Sequence, residues 1–291
     1  MSFARVTQRS MSTSIMRGLE DNLSRAQLLQ QQLSSGKRVS QPSDDPSATG
    51  AAMKLRSQNQ ADTQYLRNIT DASGRLATSD DALTQISDRI RRVRDLVVTA
   101  GDAALGSSSL DAVAAEIGGI RNEIIDLYNT RWLGRPVFGG TVAGSIAVDP
   151  SGTYVGNDQP LLSRISRDAT MRVDVQGSTA GAATLPAAIA QAMTDVTGNT
   201  ANLPTDLNNL DSQLTMVLTA LGDVGARAAR LDTTQANIQR EQLDFQSRIS
   251  ENEDVDLPLT ITNLQSQQVA YQAALGAASK VLQVSLVDFL K

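Results

Sequence analysis

Between Leu210 and Ile249, apolar side chains recur at alternating steps of four and three: Leu210, Leu214, Val217, Leu221, Val224, Ala228, Leu231, Gln235, Ile238, Gln242, Phe245 and Ile249. Ten of the twelve are apolar, and that spacing is the seam of a long amphipathic helix. Such a helix extends about 60 Å at roughly 1.5 Å per residue, so one small core cannot cover its stripe and a second long helix is required. Ile69, Ala72, Leu76, Ser79, Leu83, Ile86, Ile90, Val93 and Val97 repeat the spacing with one polar member. The two seams are expected to pair with each other. The alternative is two separate coiled coils that meet other chains.

Shorter seams lie at both ends. Ile15, Leu19, Asn22, Ala26, Leu29 and Leu33 lead to Ser34-Ser35-Gly36, where Gly36 can adopt the left-handed turn that ends a helix. After Pro258, positions Ile261, Leu264, Gln268, Tyr271, Leu275, Ala278, Leu282, Ser285 and Phe289 resume the three-four spacing. A Gln- and Ser-rich helix of about twenty residues is marginal alone in water, so the first helix is expected to order only against a partner.

Breaks divide the chain. Pro42 and Pro46 make residues 37–47 a loop, with Asp44 or Asp45 capping a new helix whose first turn holds Pro46. That helix should run to Thr99, and after Gly101 and Gly106 another starts at Ser108 or Ser109 and continues through Leu127, forming a helical hairpin. From Arg131 the character changes. Residues 135–141, 145–148, 149–156 and 170–175 read as short strands, with Asp149-Pro150-Ser151-Gly152 as a turn.

The expected fold is therefore mainly α: a long, antiparallel, coiled-coil-like helical rod built from N- and C-terminal parts, with a small inserted β-rich domain. The boundaries expected are a terminal helix and loop at 1–43 that pairs with 256–291, rod segments at 44–130 and 206–255, a satellite insert at 131–180, and a linker with a short helix at 181–205.

Composition narrows the chemistry. The 291 residues contain no Cys and no His, which removes thiol nucleophiles, histidine bases, Cys/His zinc sites and disulfides. A net charge of -5 offers no general field for phosphate backbones, so no nucleic-acid partner is expected. No run is long and apolar enough for membrane insertion, and the first residues lack the apolar core of a secretory signal. Asp44 and Asp45 could be read as a catalytic pair, but without a second acid or a cleft nearby, capping is the expected role. Arg89, Arg91, Arg92 and Arg94 read as a solvated face. Arg5, Arg9, Arg17, Arg25, Lys37 and Arg38 make the first forty residues basic, and Glu251, Glu253, Asp254 and Asp256 form an acidic cluster that could attract them. No phosphate-loop, dinucleotide or calcium-loop pattern occurs, so no cofactor is expected.

Several segments are familiar in their own right. Leu33-Ser-Ser-Gly-Lys-Arg-Val-Ser-Gln-Pro-Ser-Asp-Asp-Pro-Ser-Ala resembles the sequence after the first helix of the bacterial flagellin superfamily. Arg92-Val-Arg-Asp-Leu-Val-Val, Pro136-Val-Phe-Gly-Gly-Thr, Gly152-Thr-Tyr-Val-Gly, Leu264-Gln-Ser-Gln-Gln-Val-Ala-Tyr-Gln and Ser285-Leu-Val-Asp-Phe-Leu are similar as well. Pro42 and Pro46 look like its hook-filament junction branch rather than flagellins proper, leaving a minor flagellin as the alternative. The resemblance implies a non-enzymatic extracellular component of the flagellum, exported unprocessed by the flagellar type III route. Its implied partners are flagellin, the other hook-associated junction protein, neighbouring copies of itself and an export chaperone. The implied assembly interface is Ile15, Leu19, Ala26, Leu29, Leu33, Ile261, Leu264, Tyr271, Leu275, Leu282 and Phe289. A carboxylate-dependent extracellular hydrolase is the competing class, and no acid pair in a pocket-like context supports it.

Overall fold

The computed structural model describes the backbone of residues 3–101, 106–142 and 144–289, and the side chains of residue 10 and of residues 13–101, 106–142 and 144–279. Its helices are α1 (Phe3–Ser35), α2 (Pro46–Ala100), α3 (Ser107–Tyr128), α4 (Leu185–Gly198), α5 (Leu203–Glu253) and α6 (Leu257–Phe289). Between α3 and α4 lie two small antiparallel hairpins, β1 (Arg131–Trp132) with β2 (Arg135–Pro136) and β3 (Leu162–Arg164) with β4 (Thr170–Arg172). The chain divides into two compact units, residues 61–241 and residues 1–60 with 242–291.

In the unit spanning 61–241, the seams behave as their spacing requires. Every α2 position from Ile69 to Val97 in the predicted series is at most 1% exposed, including Ser79, whose Oγ donates to the Arg75 carbonyl one turn back. Burial of that kind contributes about 1.5–3 kcal/mol per large aliphatic side chain. On α5, Leu210, Val217, Val224, Leu231 and Ile238 enter the same core, with Leu214 and Leu221 packed at its edge. The two helices run antiparallel: Arg94 pairs with Asp211 at 2.8 Å, while at the other end Asp62 lies near Glu241. Arg92 reaches Glu116 and Arg89 reaches Glu123 on α3, so three of the four clustered arginines strap helices together rather than merely facing water. Only Arg91 stays on its own helix, with Asp88.

The segment 131–180 departs from expectation in two ways. It contains far less strand than its β-branched stretches suggest, because side chains replace the ladder. Asn129 accepts from the Ala147 and Val148 N–H groups and donates to the Val148 carbonyl; Asn157 accepts from Thr141 N–H; and Asp174 accepts from Leu161 N–H. The Tyr154 ring fills the space where a Cβ on Gly156 or Gly177 would stand, and its hydroxyl donates towards the Phe138 and Asn157 carbonyls. Burial and Asp158 push that phenol up to about 12.

Nor is the segment a satellite. Val137, Phe138, Ala147, Val148, Ile165, Met171, Val173 and Val175 belong to one hydrophobic cluster with the seams of α2 and α5 and the inner face of α3. Phe138 meets Tyr128 of α3 edge-on, ring centroids 5.5 Å apart, and the buried Tyr128 hydroxyl donates to the Ala180 carbonyl at 2.7 Å. The stretch read as a linker is packed too: Ala180, Ala182, Leu185, Ile189, Ala192 and Val196 are fully buried, and α4 lies along α3. Its Ala- and Gly-rich composition reflects close helix contact, not looseness.

A polar hub missed by periodicity joins these layers. Asp174 is fully buried and takes Arg172 through both its oxygens, at 2.9 and 2.8 Å, while its carbonyl accepts from Arg227 of α5. Arg75, buried beside the α2 seam, donates to the Pro136 carbonyl at 3.1 Å, and desolvation lowers the pKa of its guanidinium, which the charge of Asp174 offsets only in part.

Candidate assembly interface

The unit made of residues 1–60 and 242–291 brings both ends of the sequence together. Helix α1 stops at Gly36, whose φ of 69° is the left-handed conformation its sequence position calls for. Helix α2 starts behind Asp45, which accepts from Ala48 N–H at 2.9 Å, so Asp45 is the cap. Asp44 folds back on the loop, accepting from Ser40 and Gln41 N–H at 3.0 and 2.9 Å. These backbone donors, Gln41 for Asp44 and Ala48 for Asp45, hold both carboxyls below the usual carboxylate range. Both carboxylates are thus engaged by local backbone donors, Asp45 as the helix cap and Asp44 within the loop.

The acidic cluster does meet the basic segment. Glu253, 5% exposed at the end of α5, takes Lys37 at 3.1 Å and Arg56 of α2 at 2.5 Å, and its carbonyl accepts from the N–H groups of Arg38 and Val39. Val255 N–H returns a bond to the Gly36 carbonyl at 3.0 Å. Asp256 then caps α6 through Leu259 N–H, which places Pro258 in the first helical turn, where a missing donor costs nothing.

From this clasp α1 and α6 run antiparallel in contact with each other. The predicted α1 positions Ile15, Leu19, Ala26, Leu29 and Leu33 are all half-buried, as is Asn22, which accepts from Gln267 Nε2 at 2.9 Å through its side chain. On α6 the stripe of reduced exposure is Thr260, Leu264, Gln267, Tyr271, Ala274 and Ala278. Leu264 and Tyr271 therefore lie on the less exposed stripe, whereas Ile261 and Leu275 point to solvent. The register shifts because α6 is apolar on two sides, so three-four spacing fits either one. The side chains of Leu282 and Phe289 lie outside the described residues.

The exposed side of this pair is unusually apolar. Met16, Leu23 and Leu28 of α1, and Leu257, Leu259, Ile261, Val269 and Leu275 of α6, are all more than a third exposed. Leu257, Ile261 and Leu275 share one side of α6, and exposed apolar surface of this kind marks a site of association. Among the described residues there is no group of three or more His, Cys, Asp or Glu able to hold a metal, and no helix is long and apolar enough to cross a membrane. What the arrangement can do is bind other helices.

Known proteins resemble the chain over most of its length. The family model for the bacterial flagellin N-terminal helical region matches residues 6–141, and that for the bacterial flagellin C-terminal helical region matches residues 207–290. The flagellar hook-associated protein 3 of Salmonella typhimurium is 26% identical, over 97% of this chain and 98% of its own length. A flagellin of Bacillus subtilis is 25% identical, over 88% of this chain and 89% of its own. A solved structure described as a putative flagellar hook-associated protein from Vibrio parahaemolyticus superposes with a TM-score of 0.66 at 20% identity, covering 72% of this chain and all of that one. With family models matched over both its N- and C-terminal helical regions, the chain belongs to the bacterial flagellin family.

Proposed function

We infer that this chain is a structural subunit of the flagellar axis at the junction of hook and filament, and that it joins its neighbours through α1 and α6. The observation that carries this is the doubly apolar α6. One side is used against α1, and the other presents Leu257, Ile261 and Leu275 to solvent, a stripe that another helix could cover. On this reading the predicted interface residues divide. Ile15, Leu19, Ala26, Leu29, Leu33, Leu264 and Tyr271 hold the pair together, and Ile261 and Leu275 contact neighbours. The neighbours are other copies of the chain, flagellin on one side and the second hook-associated protein on the other. An export chaperone that covers the same apolar stripe before assembly completes the set, and the assembled protein is extracellular. No enzymatic role is assigned.

A second reading, a flagellin that builds the filament itself, is favoured by the similarity to the Bacillus subtilis flagellin across most of both chains. The similarity to hook-associated protein 3 reaches 98% of that protein's length and supports the first. Expression in cells lacking their junction protein, and separately in cells lacking flagellin, distinguishes them. Filaments should return in the first strain only, and Ile261→Asp with Leu275→Asp should abolish that rescue while leaving the helix content of the purified chain unchanged. Rescue of the flagellin-deficient strain alone would overturn the junction reading.

A further inference from the structure

The unit spanning 61–241 carries a second surface that its internal packing does not use. Both hairpins lie along α2: Asn68 Nδ2 donates to the Arg164 carbonyl at 2.8 Å, Trp132 Nε1 donates to Asp71 at 3.0 Å, and the Trp132 ring occupies the space beside Gly74. Arg167, at the β3–β4 tip, lies near Asp62. From residue 62 to residue 74 is about 18 Å of helix at roughly 1.5 Å per residue. Along that length the hairpins expose Arg131, Arg135, Arg164 and Arg167, and none of the four has a carboxylate within ion-pair distance among the described residues. The acids nearby are Asp62, Asp71, which is taken by Trp132, and exposed Asp168 in the same tip.

The tip of the first hairpin is costly for the isolated chain. Leu133 is 79% exposed and holds a φ of 47°, a left-handed conformation that branched side chains avoid. An apolar side chain that is both strained and solvated contributes nothing to this chain's own core. Flanked in its hairpin by Arg131 and Arg135, it has the composition of an anchor within an interface.

The complementary surface is present on the same molecule. Asp81, Asp88 and Asp95 recur every seven residues on the exposed side of α2, a row of about 21 Å. The arginines that could neutralise it, Arg89, Arg92 and Arg94, are committed to Glu123, Glu116 and Asp211 on other helices, leaving only Arg91 beside Asp88. The two rows match in length and oppose in charge. Their centres are about twenty residues, or roughly 30 Å, apart along α2, so one molecule presents both halves of a contact in different places.

We propose that the arginine-rich hairpin face, with Leu133 at its tip, docks on the Asp81–Asp88–Asp95 row of a second copy of this chain. The contact is heterologous, which propagates copies around a ring or along a helix rather than closing a two-fold dimer. It rests on the reading that copies assemble side by side, and it adds to the terminal helices a charge-selected register between neighbours.

The chain has no native cysteine, so Leu133→Cys in one copy and Thr84→Cys in another are sole thiols that the contact would bring together. Purified full-length chains carrying one each, mixed in dilute salt with a mild oxidant, should give mixed disulfide dimers well above either chain alone. Because exposed charges are screened within about 10 Å at 0.1 M salt and 3 Å at 1 M, the yield should fall severalfold at 1 M. It should fall similarly with Arg131→Glu and Arg135→Glu in the first chain, and recover when the second carries Asp81→Lys and Asp95→Lys. Arg164→Glu with Arg167→Glu repeats the test on the other hairpin, should the first pair alter the melting curve. Undiminished cross-linking after charge reversal overturns the proposal, and so does reversal without recovery. Failure of Ile261→Asp and Leu275→Asp to affect filament rescue, with the cross-link intact, would count against the terminal-helix reading alone.

Discussion

Replacing Phe138 by alanine asks whether the segment 131–180 is part of the helical core. The side chain is fully buried, sits 5.5 Å edge-on to Tyr128, and shares its cluster with seam residues of α2 and α5. Phe→Ala truncations in packed cores cost about 3–5 kcal/mol, and the lost aromatic pair accounts for roughly 0.5–1.5 kcal/mol of such a loss beyond area burial. In a unit of this size each kcal/mol lowers the melting temperature by about 2–4 °C, so the helical signal should melt roughly 6–20 °C lower. The assay is circular dichroism at a helix wavelength, which the small hairpins barely influence, with Val155→Ala, an exposed position of the same segment, as the control. If Phe138→Ala changes the tyrosine and tryptophan environment while the helices melt as before, the segment folds separately and the shared core is wrong.

Two further outcomes follow from charges the packing has trapped. Glu253→Gln keeps the shape of the clasp but removes the charge that Lys37 and Arg56 share; because both cations are about half exposed, the loss should be about 1–2 kcal/mol rather than that of a fully buried pair, and amide exchange should rise first at Arg38, Val39 and Val255. Asp206 is raised by burial and then by neighbouring Asp195, so the folded chain binds its proton more tightly than the unfolded one; stability should therefore fall as pH rises from about 3.8 through the folded pKa, and Asp206→Asn should flatten that slope in urea titrations, the prediction failing if the mutant keeps it.

How much of this was legible in the chain depended on one-dimensional periodicity. The long seams could be read residue by residue, since each is apolar on one side only and a single register satisfies it. In α6 the same rule found Leu264 and Tyr271 but also Ile261 and Leu275, because a helix apolar on two sides has no unique stripe. The link that sets the register, Gln267 to Asn22, is polar and carries no weight in an apolar count. The clasp was half visible, as opposite charges at Lys37–Arg38 and at Glu251–Asp256, but which acid would be buried depended on where α5 ends. The hairpin segment was least legible. Its order comes from Asn129, Tyr154, Asn157 and Asp174 bonding to distant backbone, and neither alternation nor turn chemistry encodes those partners. Arg75 could not be anticipated at all: a lone arginine beside a seam looks like surface until the Pro136 carbonyl and Asp174 are in place.

The nearness of Asp62 to Glu241 at the two ends of one compact unit also bears on the order in which the chain can fold. Helices α1 and α6 must find each other across about 220 intervening residues if nothing else is formed, and closing a flexible loop costs entropy that grows as 1.5RT ln n. Once the middle unit has formed, about 40 residues, 36–60 and 242–256, remain between it and the two helices, and the cost drops by roughly 1.5 kcal/mol. The terminal helices are thus the last to gain from folding and the first to lose. A partner that competes for their apolar faces works against a contact whose formation depends on distant structure, while the core it leaves behind is already complete.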